Sequence, residues 1–469
     1  MAVMLRIFGI SGLRGVVGTE LTPESVSRIA AVFGRFIGRG TVGIGRDTRP
    51  SGAMFLSAAA AGLLSAGADV EDLGICPTPT VLLRVRRGRL AGGIVVTASH
   101  NPEQWNGMKF VGPEGMFLVP EELARFRGLV ETDDSESAQW SAIGRLTAYP
   151  EAVDDHIAAI AGCDLFSDVP DRLAGRGLRV GIDAVNGAAS EVAARLVSRL
   201  GAEPVTLNCE TDHRRLCSGF PRGPEPTAAN LGDLSRLVRE QGLDLGVAFD
   251  PDGDRAGFVD ETGTPLGEEA TVCLACTYVL PRRRQSGSPV VVNLSTTRAV
   301  EDVCGAFSVP VERTPVGEIS VAARMKSAGS VIGGEGNGGV ILPEVNSTRD
   351  GLVAAACVLG LLASGRTASE LRAGIPEYRM LKTTVTLDRT EFDAARERLA
   401  RAFEGARRDD QDGLKLDAED FWVHVRASNT EPVVRIIVET RGARSPQTIA
   451  EEVSRILGDA VSPGPSRKE

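Results

Sequence analysis

Leu245-Gly-Val-Ala-Phe-Asp-Pro-Asp-Gly-Asp-Arg255 sets an apolar run directly against three aspartates. The run Leu245–Phe249 reads as a short strand buried on both faces, the kind found in parallel sheets. It follows the helical stretch Asn230–Gln241, so the order is helix, strand, loop. In open α/β sheets, ligands bind beyond the carboxyl ends of the strands, where this loop lies. Asp250, Asp252 and Asp254 repel one another unless a cation sits among them, and an all-oxygen set selects a hard ion such as Mg²⁺ or Ca²⁺. Arg255 then lies beside the metal, suited to a phosphate oxygen. The spacing also opens like an EF-hand that would close on Glu261. Arg255 stands where that loop needs glycine, and a strand precedes it rather than a helix, so the EF-hand is excluded.

The same alternation runs along the chain. Val42–Gly45 precedes the helical Gly52–Ala66, Gly92–Thr97 is a buried-strand run, and Leu178–Ile182 precedes the helical Ala188–Leu200. Val290–Asn293 and Ser330–Gly333 are strand-like, with the helical Gly317–Lys326 between them. This rhythm argues α/β units with mainly parallel sheets. A loop-like stretch at Arg145–Val153 closes the first block, and the rhythm restarts after Asp254. After Gly374 the texture changes to strands at Thr383–Leu387, Trp422–Val425 and Val433–Glu439, with helices at Asp393–Phe403 and Ser445–Leu457. The expected architecture is three similar mixed- or parallel-sheet α/β domains (1–150, 151–254, 255–372) and a C-terminal α+β domain (373–460). The Pro- and Gly-containing tail 461–469 is expected to be disordered.

Composition narrows the function classes. The 469 residues carry 52 Lys and Arg against 62 Asp and Glu, a net charge of −10, which is a poor basis for binding nucleic acid. The longest apolar run, Leu352–Ala363, falls short of the ~20 residues a membrane span needs. Met1–Gly9 holds no signal-like apolar stretch. These features predict a cytoplasmic protein with neither membrane nor nucleic acid as partner; a monomer or homodimer is expected, without a sequence feature that chooses between them. Eight cysteines are then free and mostly buried, and the Cys273/Cys276 pair, inside the apolar Val272–Leu280, belongs to the core rather than to zinc. Arg84, Arg86, Arg87 and Arg89 read as a basic surface run, and Arg282–Arg284 as a solvated turn. His156, His213 and His424 read as structural or exposed.

Three further loops carry chemistry. Thr97-Ala-Ser-His-Asn-Pro-Glu-Gln-Trp-Asn-Gly-Met-Lys109 follows the strand Gly92–Val96 and offers Ser99 as nucleophile or phosphate carrier, with His100 beside it and Lys109 ten residues on. No G-x-S-x-G elbow surrounds Ser99, which argues against a hydrolase triad. Gly333-Gly-Glu-Gly-Asn-Gly-Gly339, expected to follow a strand at Ser330–Ile332, sets Glu335 and Asn337 among glycines, a pattern suited to sugar hydroxyls. Arg426-Ala-Ser-Asn-Thr-Glu-Pro432 lies between two strands and offers Arg426, Ser428, Asn429 and Thr430 as a phosphate cradle, with a plain hairpin turn as the alternative. Arg14, in the Gly-rich Phe8–Gly15, could orient a phosphate on Ser99. Arg46 and Arg49 read equally well as structural ion pairs.

In this order and spacing the segments resemble the α-D-phosphohexomutase family over almost the whole chain, Phe8 to Glu439. The resemblance implies a four-domain enzyme around a central cleft, each domain giving one loop. Ser99 would be the phosphoserine, and Asp250, Asp252 and Asp254 would hold Mg²⁺ with the Ser99 phosphate as a further ligand. Lys109 and His100 would be the acid–base groups, Glu335 and Asn337 would grip sugar hydroxyls, and Arg426, Ser428, Asn429 and Thr430 would bind the non-reacting phosphate. A hexose 6-phosphate and its 1-phosphate would interconvert through a sugar 1,6-bisphosphate. Many bacterial members carry Glu-x-Ser-Gly-His in the sugar loop, whereas this chain has Asn337 and Gly339, a variant most like archaeal-type phosphoglucosamine mutases. Glu318 sits where relatives carry His or Asp, which implies a contact with an amino group or hydroxyl near C2. Glucosamine phosphate is therefore the favoured substrate and glucose or mannose phosphate the alternative. A metal-dependent phosphatase and a non-catalytic binding protein are the other classes.

Overall fold

The structure is a computed structural model that describes residues 8–9, 12–132, 137–211, 219–283, 287–387, 389–428 and 433–458. His213, Cys217, Arg284, Asn429, Thr430 and the tail 461–469 lie outside the described residues.

The first sheet runs Phe8–Gly9, Gly12–Val16, Trp105–Val111, Gly92–Val96, Val42–Arg46, Val70–Ile75 and Leu146–Ala148 across its width. Val42–Arg46 pairs in parallel with both neighbours, and Gly92–Val96 turns antiparallel onto Trp105–Val111. In the second sheet Leu245–Phe249 is parallel to Arg179–Asp183 and antiparallel to Ala256–Asp260. In the third, Val290–Asn293 is parallel to Gly333–Glu335, which is antiparallel to Gly339–Leu342. The fourth sheet, from Arg379–Thr386 to Arg407–Asp409, is antiparallel throughout its described pairs. The three α/β units thus share one plan: a parallel strand ends in a hairpin with an antiparallel neighbour, and the chemically rich loop is the tip of that hairpin.

Three expectations need correction. The boundary at 254 falls inside a hairpin, because all five residues of Ala256–Asp260 pair with Leu245–Phe249. The stretch taken as a linker at Arg145–Val153 contains the strand Leu146–Ala148 and the start of the helix Ala152–Ala161. That strand is a sheet edge whose three residues are exposed, so it has no apolar alternation to betray it. The glycine loop begins as strand: Gly333–Glu335 and Gly339–Leu342 are paired and only residues 336–338 turn. The glycines are there for close packing, since a Cβ on Gly333 would meet Val291 O at 2.3 Å and Met325 Sδ at 2.7 Å.

One continuous apolar core spans the second and third units and takes in Leu83 of the first, while the first and fourth units also have cores of their own. At its centre lies Gly351–Leu362, a helix whose twelve residues are all buried. This accounts for the chain's longest apolar run, and no helix among the described residues is long and apolar enough to cross a membrane. Asp350 caps that helix, its carboxylate accepting from Leu352 N and Val353 N. Cys273 and Cys276 are buried free thiols on the helix Glu268–Val279. Arg84 pairs with Glu71, and Arg86 donates to the Pro343 and Val345 carbonyls, so two of the four arginines taken as a solvated run tie structure together.

Candidate active site

Ser99 is 1 % exposed and has φ +52°, a left-handed conformation unusual for serine and typical of a loop shaped by its surroundings. Arg49 does the shaping. Its guanidinium donates to the carbonyls of Ser99 (2.6 Å), Asn101 (2.7 Å), Pro102 (2.7 Å) and Trp105 (3.0 Å), and Nε pairs with Asp47 at 3.0 Å. Thr97 Oγ1 donates to the same aspartate at 2.6 Å and accepts from Ser99 N at 2.8 Å. Arg49 is therefore structural, and the structure it supports is the serine loop. Arg14 donates to Asn101 Oδ1 at 3.0 Å on the same loop.

Asp250, Asp252 and Asp254 are 0–1 % exposed. Gly253, at φ +67°, lets the chain reverse between the last two. Each aspartate has one oxygen bonded to protein. Asp250 Oδ1 accepts from Arg255 N at 3.2 Å, Asp252 Oδ2 from Lys109 Nζ at 2.7 Å and Thr78 Oγ1 at 2.6 Å, and Asp254 Oδ2 from Arg349 Nη2 at 2.6 Å. The remaining oxygens, Asp250 Oδ2, Asp252 Oδ1 and Asp254 Oδ1, are buried without a hydrogen-bond partner. One potential ligand atom from each aspartate lies within 4.8 Å of the others. Buried carboxylate oxygens left unpaired are costly, and three together fit one hard divalent cation. Burial and then Asp254 and Asp252 push the Asp250 carboxyl well above its usual range, whereas, against the effect of burial, Lys109 holds Asp252 and Arg349 holds Asp254 below theirs.

His100 lies 3.4 Å from Ser99 Oγ through Nδ1, and the same nitrogen is 3.2 Å from Arg255 Nη2. Removal from water and then Arg255 push the imidazole below its usual value, with Glu225 opposing. Glu225 also takes Arg255 Nη1 at 2.6 Å. Burial would lower the Lys109 ammonium, but Asp252 and Asp254 outweigh it and hold it above its usual value.

In the third unit Glu335 is held on both oxygens. Oε1 accepts from Asn293 Nδ2 at 2.6 Å and Gly317 N at 3.0 Å, and Oε2 from Arg349 Nη1 at 2.7 Å. Asn337 Oδ1 accepts from Gly339 N at 3.2 Å across the hairpin tip. A Cβ on Gly339 would stand 2.2 Å from Arg349 Cδ, so a side chain there would require Arg349 to move. Glu318 faces inward: Oε1 accepts from Thr348 Oγ1 and from Arg349 N at 2.9 Å, and Oε2 is 3.4 Å from Arg349 Nε. In the fourth unit Arg426 Nε pairs with Asp412 Oδ2 at 3.2 Å, and that oxygen also accepts from Val316 N at 3.0 Å. His424, between Ser295 Oγ and the Asp412 carbonyl, and Arg298, between Asp417 and the carbonyls of Ala418 and Glu419, dock this unit on the third.

The described residues therefore bring Ser99, His100, Lys109 and Arg14 together with the aspartate loop, and join Glu335 and Glu318 to that loop through Arg349. Sequence reading missed Arg349, Glu225 and Thr78. Arg349 left one trace, a basic residue in Asn346-Ser-Thr-Arg-Asp350 immediately before the most apolar helix of the chain.

Four family models match in order: phosphoglucomutase/phosphomannomutase alpha/beta/alpha domains I, II and III over residues 5–137, 154–263 and 268–378, and the C-terminal domain over 385–456. A protein of Methanopyrus kandleri named "probable phosphoglucosamine mutase" is 36% identical over 98% of this chain and 99% of its own length. A phosphoglucomutase/phosphomannomutase of Thermococcus kodakarensis is also 36% identical, over 98% of this chain and 100% of its own. The crystal structure of a Burkholderia thailandensis phosphoglucomutase/phosphomannomutase family protein superposes with a TM-score of 0.84 at 28% identity, covering 97% of each chain. The chain belongs to the phosphoglucomutase/phosphomannomutase family and is an enzyme of the isomerase class.

Proposed function

We propose that this enzyme interconverts the 6- and 1-phosphates of a hexose through a phosphorylated Ser99 and a sugar 1,6-bisphosphate, with Mg²⁺ held by Asp250, Asp252 and Asp254. The observation that carries the reading is the pairing of a buried, left-handed Ser99 with three aspartates that each keep one buried oxygen unbonded. Bound Mg²⁺ would supply charge neutralisation to the transferring phosphoryl group.

The chain's own residues define the rest. Phosphoryl transfer is chiefly positioning and charge stabilisation, and Arg255, fixed by Glu225, supplies a directed positive charge. In the forward half-reaction the Ser99 Oγ–P bond breaks and a bond from phosphorus to a sugar hydroxyl oxygen forms. His100, whose Nδ1 is 3.4 Å from Ser99 Oγ, would relay the hydroxyl proton to the departing serine oxygen. Lys109, whose ammonium donates to Asp252 at 2.7 Å, is the other acid–base candidate. The hydroxyl proton ends on Ser99 Oγ; in the second half-reaction the bond from the other phosphorus to its sugar oxygen breaks, the Ser99 Oγ–P bond forms again, and the serine proton passes to that sugar oxygen. Glu335, locked by Asn293, Gly317 and Arg349, presents a fixed acceptor edge to sugar hydroxyls. Arg426 would hold the phosphate that is not reacting.

Glucosamine phosphate is the substrate we favour, in line with the names of relatives at 30–36% identity. Glucose or mannose phosphate is the second reading. It is favoured by Glu335 and Glu318 both being paired with Arg349, so that an ammonium at C2 would compete with a guanidinium already in place. The test is kcat/KM on the 1- and 6-phosphates of glucosamine, glucose, mannose and N-acetylglucosamine, with Mg²⁺ and a trace of sugar 1,6-bisphosphate. Isomerisation that disappears in Ser99→Ala is expected. Release of inorganic phosphate without isomerisation would refute the mutase reading.

A further inference from the structure

Three buried side chains that the reaction scheme leaves unused join the three α/β units at one point. His156, on the helix Ala152–Ala161, lies between Thr80, on the helix Thr78–Gly88, and Asp350, at the head of the helix Gly351–Leu362. Its Nδ1 is 2.8 Å from Thr80 Oγ1 and its Nε2 is 2.8 Å from Asp350 Oδ2. All three residues are 0–1 % exposed. A carboxylate only accepts, so Nε2 donates to Asp350, and in that tautomer Nδ1 accepts from the Thr80 hydroxyl. Asp350 Oδ1 takes Leu352 N and Val353 N at 3.0 and 3.2 Å, and Asn346 Nδ2 donates to the Pro79 carbonyl at 2.8 Å, closing the same contact from the side. The likeness to a nucleophilic triad ends at burial, because no substrate reaches Thr80.

The bonds have a different consequence. Thr78, two residues before Thr80, donates its amide to Asp252 O at 2.8 Å and its hydroxyl to Asp252 Oδ2 at 2.6 Å. Gly351, next to Asp350, donates its amide to Gly253 O at 3.2 Å. It has no room for a side chain, since a Cβ would meet Arg255 O at 2.9 Å and Gly253 O at 3.0 Å. The aspartate loop is thus gripped by two helix N-termini from different units, and His156 bridges those two helices. We propose that His156 is a positioning residue for the Asp250–Asp254 loop: by tying Thr80 to Asp350 it fixes the spacing of the two helix ends that hold the loop, and so sets the cation affinity of a site it does not touch. The inference rests on reading that loop as the cation site.

The test titrates Mn²⁺ into metal-stripped, full-length protein by calorimetry and follows amide hydrogen exchange at residues 78, 253, 255 and 351. Thr80→Val deletes one hydroxyl with little change of shape and leaves His156 on Asp350. His156→Gln keeps a donor for Asp350 and breaks the link to Thr80. Phe403→Leu, in the separate core of the fourth unit, controls for general loss of stability. Both linkage variants are expected to bind Mn²⁺ about tenfold more weakly, the size seen when the support of a metal ligand is removed. They should exchange faster at the four amides and regain kcat at saturating Mg²⁺, with KM for the sugar phosphate within about twofold. The control should do none of this. Unchanged affinity and exchange in Thr80→Val overturns the positioning role. Wild-type protein that binds no Mn²⁺ overturns the cation reading instead, and the exchange rates then still decide whether His156 orders the loop.

Discussion

Arg349→Met removes one guanidinium from between three carboxylates and gives the sharpest test of how this cleft is balanced. Asp254 at 2.6 Å, Glu335 at 2.7 Å and Glu318 at 3.4 Å all pair with Arg349, and all are buried. Removing one partner of a buried pair costs about 3–5 kcal/mol, because a charge is left without compensation. At roughly 2 °C per kcal/mol for a large unit, the apparent melting midpoint should fall by about 6–10 °C at pH 7 in the absence of divalent cations. The unfolding of four units need not be two-state, so the midpoint shift rather than an extrapolated free energy is the observable.

The pH dependence separates this account from simple loss of packing. Burial raises the Asp254 carboxyl, but Arg349, Lys109 and Arg255 hold it well below the usual range, and Arg349 also opposes the burial that raises Glu318. A depressed carboxylate gives stability above its unfolded pKa that is lost as pH falls. Without Arg349 the folded carboxyls rise and take up protons at a pH where the unfolded chain is still ionised. The deficit of the variant should therefore shrink on acidification, by about 1.4 kcal/mol per pH unit for each proton taken up. Scanning calorimetry at pH 7.5, 6.5 and 5.5 reads this directly. A deficit below about 1 kcal/mol, or one that is flat with pH, would show that these carboxylates do not depend on Arg349.

Other expectations are simpler. Burial raises the Glu269 carboxyl to about 7, with Lys382 opposing, so the folded state holds its proton up to a higher pH than the unfolded chain. Wild-type stability should then fall by up to about 3 kcal/mol between pH 4.5 and 7, and Glu269→Gln should lack that slope; parallel midpoint-versus-pH curves for the two proteins would refute this. Arg49→Met removes a donor from each of four carbonyls of the Ser99 loop, of which that of Pro102 keeps Trp105 N, and leaves Asp47 without its ion-pair partner. It should lower stability by about 3–5 kcal/mol and reduce the Ser99 phosphate measured by mass spectrometry, and normal phosphate occupancy would count against the moulding role.

Legibility in the sequence followed the physics of each element. Gly92–Val96 and Leu245–Phe249 are buried on every residue and read as apolar runs, and the loops after them were found because strand ends are where ligands sit. The edge strand Leu146–Ala148, exposed at all three residues, carried no such signal. Gly333–Glu335 reads as a loop because its glycines answer to neighbouring atoms rather than to turn geometry. Ser99 and the aspartates stand out in the sequence because the chemistry proposed for each lies within one short segment. Arg349 does not, because its meaning lies in partners 14, 31 and 95 residues away. His156 was read as structural or exposed; burial bears out the first, while its bridge to Thr80 and Asp350 could not be seen before folding.

Three arginines of the candidate site are already paired with carboxylates: Arg255 with Glu225, Arg349 with Glu335 and Asp254, Arg426 with Asp412. Such pairing can orient a guanidinium for an incoming phosphate or compete with it, and Asp412→Asn decides which holds at Arg426. The side chain of Arg426 is 16 % exposed on the strand Phe421–Ala427, so packing retains much of its orientation when the charge on Asp412 is lost. The amide can still accept from Val316 N, which keeps the adjoining loop in place. Removing one repulsive charge near a bound phosphate is worth at least about 1 kcal/mol, the value at the dielectric of water, or about fivefold in affinity. Competition should therefore dominate, with inorganic phosphate inhibiting about fivefold more tightly and KM for the sugar phosphate falling by a similar factor. Because this phosphate does not react, the gain is shared by ground and transition states, and kcat should not rise. A KM that rises would mean that Arg426 owes its aim to Asp412, and the carboxylate would then be part of the phosphate site rather than its rival.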